Sequence, residues 1–232
     1  MYQTAKYMPV GDRALLIEFG NTISLDVNQK VHTLNRAISQ LELQNVEECV
    51  PTYRSLLVYY DPLKTSYEQL VFRLKDLEER LDEFNVSIRK RLIEVPVVYG
   101  GKYGPDLGYV AKYHDLDKED VIRLHSERKY TVYMIGFVAG FPYLGEVADE
   151  IATPRLKTPR LRVPAGSVGI AEKQAGIYPC ESPGGWQIIG RTPLKFFDAR
   201  KHPPALIQPG DTVKFKQVVK EEFQNFSQEQ QK

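Results

Sequence analysis

Cysteine is scarce in this 232-residue chain. Cys49 and Cys180 lie far apart, with no C-x-x-C pair and no histidine at zinc-ligand spacing. That excludes a cysteine-built metal or redox centre, and no metal is expected; two buried free thiols in a reducing compartment are. An excess of one charge is missing too. The 31 Lys and Arg face 30 Asp and Glu, and no basic run interrupts the balance, so no nucleic-acid partner is expected. No stretch approaches the roughly 18 consecutive apolar residues of a membrane helix, so no membrane role is expected either. Residues 1–10 (MYQTAKYMPV) lack the basic region and apolar core of a secretory signal, which points to the cytoplasm and leaves the sequons at Asn85 and Asn225 without meaning. A Walker-type G-x-x-x-x-G-K-[ST] loop and a dinucleotide fingerprint are both absent.

Glycine and proline are present but unevenly spread. Residues 136–210 hold 10 of the 16 Gly and 10 of the 15 Pro, whereas the first 95 residues hold only Gly11, Gly20, Pro9, Pro51 and Pro62. Few turns imply long elements and many turns imply short ones, so the two halves differ in architecture. In the first half, residues 13–19 read as a strand. Val27, Val31, Leu34, Ile38 and Leu41 recur at helical spacing, as do Leu70, Leu74, Leu77 and Leu81 after a Ser66-x-x-Gln69 capping box. Residues 45–51, 55–60 and 86–98 read as further strands. The order βαββαβ is the ferredoxin-like unit, two helices over a four-stranded antiparallel sheet.

Residues 106–114 and 117–126 read as short helices with Asp106 and Asp117 at their N-caps. From Tyr130 onward, short apolar pieces separated by Gly or Pro suggest a sandwich or a closed barrel. Residues 220–232 are polar, lack a core stripe, and read as a tail.

The chemistry concentrates in residues 136–193. Residues 136–145 (GFVAGFPYLG) interleave Gly with aromatics, and the bond before Pro142 is a candidate cis peptide. Arg155, Arg160 and Arg191 stand beside rigid Pro or Gly backbone, and their forks suit carboxylates and phosphates. Gly184-Gly185-Trp186 lets backbone amides approach a ligand beside a large aromatic wall. The same residues also suit tight barrel corners with surface arginines. Ser167, within AGSVG, has either a nucleophile's or a turn's setting, and His125 at a helix end either moves protons or offsets the helix dipole. The candidate catalytic residues are therefore His125, Arg160 and Arg191. The candidate substrate-binding residues are Phe137, Pro142, Arg155, Ser167, Gly184, Gly185 and Trp186.

Together with residues 11–20 (GDRALLIEFG), 53–62 (YRSLLVYYDP), 94–107 (EVPVVYGGKYGPDL), 154–171 (PRLKTPRLRVPAGSVGIA), 178–193 (YPCESPGGWQIIGRTP) and 209–215 (PGDTVKF), the 136–145 segment resembles the allophanate hydrolase subunit 1-like family. That family includes the B subunit of bacterial 5-oxoprolinase and an inhibitor of a sporulation histidine kinase. The resemblance implies an α+β fold: a ferredoxin-like domain at 1–95, a cyclophilin-like β-barrel at 96–219, and a flexible tail at 220–232. It also implies a subunit, inactive alone, of an enzyme that opens 5-oxoproline to glutamate with ATP, in the company of 5-oxoprolinase subunits A and C. The alternatives are a regulator that binds a histidine kinase and, by family analogy, a urea-type amide hydrolase subunit. In one place the chain departs from the family's GF-x-P-GF pattern, carrying Ala139 where Pro is usual.

Overall fold

Both helical stripes of the first half form helices in the computed structural model, which describes residues 1–84 and 91–229. Helix α1 (Leu25–Gln40) starts after Ser24, whose side chain accepts the Val27 N–H, and it buries Val27, Val31, Leu34, Ala37 and Ile38. Helix α2 (Tyr67–Glu79) opens on the expected capping box: Ser66 Oγ accepts the Gln69 N–H at 3.3 Å, and Gln69 Oε1 accepts the Ser66 N–H at 3.2 Å. Leu70, Leu74 and Leu77 point inward. Each such side chain contributes about 1.5–3 kcal/mol by leaving water. The helices cover one antiparallel sheet of β1 (Lys6–Val10), β2 (Ala14–Glu18), β3 (Val46–Pro51) and β4 (Ser55–Tyr60), in the order β1-β2-β4-β3. Leu56, Val58 and Tyr60 alternate inward along β4, as a sheet with one covered face requires.

This α+β layer is the expected one, with one strand exchanged. The edge position that a ferredoxin-like unit gives its last strand is taken by β1, paired with β2 from Lys6↔Glu18 to Val10↔Ala14. Pro9, which has no N–H to donate, is tolerated there because the strand lies at the edge. Of the strand expected at 86–98, residues 86–90 lie outside the described residues. The remainder forms β5 (Leu92–Tyr99), which belongs to a different sheet. Val95, Val97 and Val98 are all buried, the continuous apolar run of a strand covered on both faces. Contacts divide the chain into two units, Met1–Arg89 and Lys90–Lys232.

The second unit is built on a closed barrel. Its members are β5, β6 (Lys129–Ile135), β7 (Pro142–Gly145), β9 (Ser167–Ala171), β10 (Gln174–Ile177), β12 (Gln187–Arg191) and β13 (Thr212–Gln217), in the order β10-β7-β6-β13-β5-β12-β9. A two-stranded flap, β8 (Arg160–Val163) with β11 (Ser182–Gly184), stands apart from the barrel sheet. Val95, Val97, Tyr130, Val132, Leu144, Val168, Ile170, Val213 and Phe215 fill the core. Helices α3 (Leu107–Tyr113) and α4 (Lys118–Glu127) form where expected, but neither Asp106 nor Asp117 makes a side-chain cap bond. The expected tail holds helix α5 (Lys220–Glu229), whose Phe223 ring lies 5.0 Å from that of Tyr103. Phe223 packs against the buried cluster of Val98, Tyr103 and Val218. Cys49 is half-buried, and Cys180 is exposed rather than buried. Among the described residues no helix is long and apolar enough to cross a membrane, and no group of His, Cys, Asp and Glu is arranged to hold a metal ion.

Candidate functional site

The loop between β6 and β7 folds on itself. Gly136 N–H donates to Phe141 O at 3.1 Å, and Phe141 N–H donates to Val138 O at 3.1 Å. The turn closes with Ala139 in place, so the family's usual proline is not needed to form it. Gly140 takes φ +85°, and a Cβ there would lie 2.8 Å from the Phe197 side chain. Phe137 adopts φ +66° without being glycine and keeps its ring 62% exposed. That is a strained backbone holding an apolar side chain in water.

Phe141 is the hub of an aromatic bowl. Its ring lies 4.8 Å from Tyr143, 5.1 Å from Tyr178, 5.4 Å from Trp186 and 5.7 Å from Phe137, mostly edge to face, which suits the ring quadrupoles. Gly176 beneath it must be glycine, since a Cβ would come within 2.7 Å of Trp186 and 2.8 Å of Phe141. The bowl opens as a cavity of about 460 Å³, lined by these rings together with Gly184, Gly185 and Arg155. The Arg155 guanidinium lies 5.7 Å from the centre of the Trp186 ring. Burial pushes the Tyr143 and Tyr178 hydroxyls above the usual phenol range, and the Arg155 charge only partly opposes this. Both therefore stay protonated at neutral pH.

Of the expected site residues, the structure gathers Phe137, Arg155, Gly184, Gly185 and Trp186 around this hollow. The others lie elsewhere. Pro142 is buried in β7, and the bond before it is not cis; among the described residues the cis bonds are Gly145–Glu146 and His202–Pro203. Arg160 is committed to the protein. Its Nη2 donates to Asp106 Oδ1 at 2.6 Å and its Nη1 to Trp186 O at 3.3 Å, while Asp106 Oδ2 accepts the Ile188 N–H at 2.7 Å. Arg160 thus positions the Trp186 segment and does not face the hollow. Arg191 donates from Nε to Ala165 O at 2.7 Å and lines a separate concavity. Ser167 is buried at the start of β9, its Oγ donating to Pro164 O at 2.7 Å, as a turn residue's would.

His125 is sealed inside the barrel unit. Its Nδ1 lies 2.8 Å from the Tyr99 hydroxyl and its ring 4.3 Å from Phe215. Desolvation pushes its pKa down to about 3, so it is neutral, and it does not line the hollow. Two residues gain importance that sequence reasoning did not give them. Tyr178 walls the bowl, and its only sequence signal is an aromatic two residues after a Gly that allows close packing. Asp106 looked like a helix cap and instead holds Arg160 and Ile188.

A family model described as "Carboxyltransferase domain, subdomain C and D" matches residues 5–207. The B subunit of the Bacillus subtilis 5-oxoprolinase is 42% identical over 230 residues, covering 95% of each chain. Among solved structures, the conserved uncharacterized protein PH0987 from Pyrococcus horikoshii is 51% identical, over 94% of this chain and 100% of that one, with a TM-score of 0.57. The structure of TTHA0988 superposes with a TM-score of 0.78 at 35% identity, over 89% of this chain and 40% of that one.

Proposed function

The chain belongs to the family of carboxyltransferase subdomains C and D that includes the 5-oxoprolinase B subunits, and on that premise we propose that it is the B subunit of a cytoplasmic, multi-subunit, ATP-dependent 5-oxoprolinase. The observation that carries this reading is a match to such a B subunit along 95% of both chains. The Trp186 hollow is of fitting size and chemistry, since small-ligand sites occupy about 300–1,000 Å³ and pair apolar walls with a few polar groups. 5-Oxoproline is a flat lactam with a carboxylate. In this reading Arg155 pairs with that carboxylate, Trp186 and Phe141 face the ring methylenes, and Tyr178 lies near the lactam oxygen; their common place in the lining of the hollow supports it. Hydrolysis adds water across the lactam C–N bond, and the nitrogen leaves as the amine of glutamate. ATP hydrolysis supplies the driving force for opening an unstrained amide. A triphosphate needs several cations, and this hollow offers Arg155 alone, so no step involving ATP is assigned to it. Subunits A and C supply the remaining groups.

Reconstitution with subunits A and C tests the reading. The mixture should release glutamate and phosphate from 5-oxoproline and ATP, the chain alone should release neither, and Trp186→Ala should lower kcat/KM at least tenfold (about 1.4 kcal/mol). Unchanged turnover in Trp186→Ala would remove the hollow from the reaction. A second reading, a regulator that docks on a histidine kinase, is favoured by the 62% exposure of the Phe137 ring at the mouth of the hollow. Suppression of kinase autophosphorylation by the chain alone, with no turnover in the reconstituted mixture, would select it.

A further inference from the structure

Arg191 opens onto a different place. A second concavity of about 500 Å³ is lined by the Ala165–Gly166 turn, the segment from Arg191 to Lys195, Lys102 and the Phe223 ring. Three cations reach it, and no Asp or Glu lines it among the described residues. The backbone that frames it is fixed from both sides. Gly166, at φ +80°, donates its N–H to Tyr178 O at 2.7 Å, and its carbonyl accepts the Thr192 N–H at 2.9 Å. A Cβ at 166 would lie 2.2 Å from Thr192 O, so only glycine allows the two segments to approach this closely.

The Arg191 Nε bond to Ala165 O holds the guanidinium in one plane. No carboxylate among the described residues pairs with it, which leaves its terminal amines as a fork. The Lys102 ammonium sits 5.3 Å from the Tyr103 ring centre. Lys195, the third cation, is bonded to Asp198 at 3.3 Å. Lys195 is already balanced by Asp198, so the charges left for an anion in this concavity are those of Arg191 and Lys102. A pre-oriented Arg fork flanked by point charges is the geometry that oxyanions select.

We propose that this concavity binds a small polyanion through phosphate or carboxylate oxygens, with Arg191 as the bidentate partner and Lys102 as a supporting charge. The site is separate from the Trp186 hollow and does not depend on which reaction the chain serves. The test uses the full chain alone, so it is independent of reconstituted turnover. Pyrophosphate and glutarate are each titrated at low salt by calorimetry, and repeated with Arg191→Gln and Lys102→Gln. Saturable binding is expected, weakened about tenfold by Arg191→Gln, less by Lys102→Gln, and further weakened by added salt. Lys102 is exposed, so its substitution leaves the fold intact and keeps the test valid if Arg191→Gln disturbs the turn. Tighter binding of pyrophosphate identifies a phosphoryl ligand, and tighter binding of glutarate a carboxylate. No saturable binding of either, or binding that both substitutions leave unchanged, overturns the site.

Discussion

The sheet-and-helix unit and the barrel unit bury different kinds of polar group. In the first, the buried polar residues among those described are Asn28, Thr33 and Thr65, all uncharged. In the second they include Asp106, His125, Asp211, Gln187, Ser167 and Thr192. Long helices and an alternating sheet satisfy most of their own backbones, so few side chains need reach them, as Asn28 does in donating to Thr52 O and Tyr53 O at 3.1 Å each. Short strands and tight turns leave amides and carbonyls that side chains must reach. Asp106 takes the Ile188 N–H, Asp211 takes the Gln208 N–H, and Gln187 donates to Pro154 O. The two hollows lie in the unit fixed in this way: irregular backbone that can cradle a ligand needs buried side-chain anchors to keep its shape.

Substitutions of a buried anchor and of a core aliphatic sharpen that contrast. Asp106→Ala leaves Arg160 without its partner and the Ile188 amide unsatisfied, and should destabilise the barrel unit by about 4 kcal/mol. Denaturant unfolding measures it, and a loss below about 1 kcal/mol would break the comparison. Leu34→Ala in α1 should cost about 3 kcal/mol through a cavity, with no polar group orphaned. By amide exchange the loss should be confined to the first unit.

His125 gives the barrel unit a pH dependence that does not involve the first unit's apolar core. The folded value of about 3 lies below the unfolded 6.5, so the unfolded chain binds the proton first and stability falls as pH drops through that interval. Between pH 6 and pH 4.5 the loss should reach about 2 kcal/mol. His125→Gln should flatten this slope. An unchanged slope would show that His125 is not the group responsible. Smallest of all, Arg155→Ala should change stability by no more than about 1 kcal/mol, because only an exposed cation–π contact is lost. Its effect should fall on the KM for 5-oxoproline in the reconstituted enzyme.

Much of this architecture is legible in local sequence, and what escapes is set by distant partners. The Val and Leu stripes and the Ser66 capping box name α1 and α2 because helix signals repeat within one turn. Gly and Pro density marks the short barrel strands for the same local reason. Strand β1 escapes because its edge position leaves it no apolar alternation, and α5 because Tyr103, which meets Phe223, lies far earlier in the chain. Trp186, Gly184 and Gly185 line one hollow, and a glycine pair beside a large ring is itself a local signal of such a place. That Arg160 bonds to the protein is not legible, because its partner Asp106 lies 54 residues earlier. The burial of His125 is not legible because Phe215, which packs on its ring, lies far along the chain.

Trp186 is the chain's one tryptophan and lies in the wall of the hollow, so it can report on that hollow directly. Labelled as 5-fluorotryptophan in this chain alone, its fluorine resonance should shift saturably when subunits A and C and then 5-oxoproline are added, and Arg155→Ala should raise the 5-oxoproline concentration required. A resonance that stays fixed while the mixture turns over 5-oxoproline would place substrate somewhere other than the aromatic bowl.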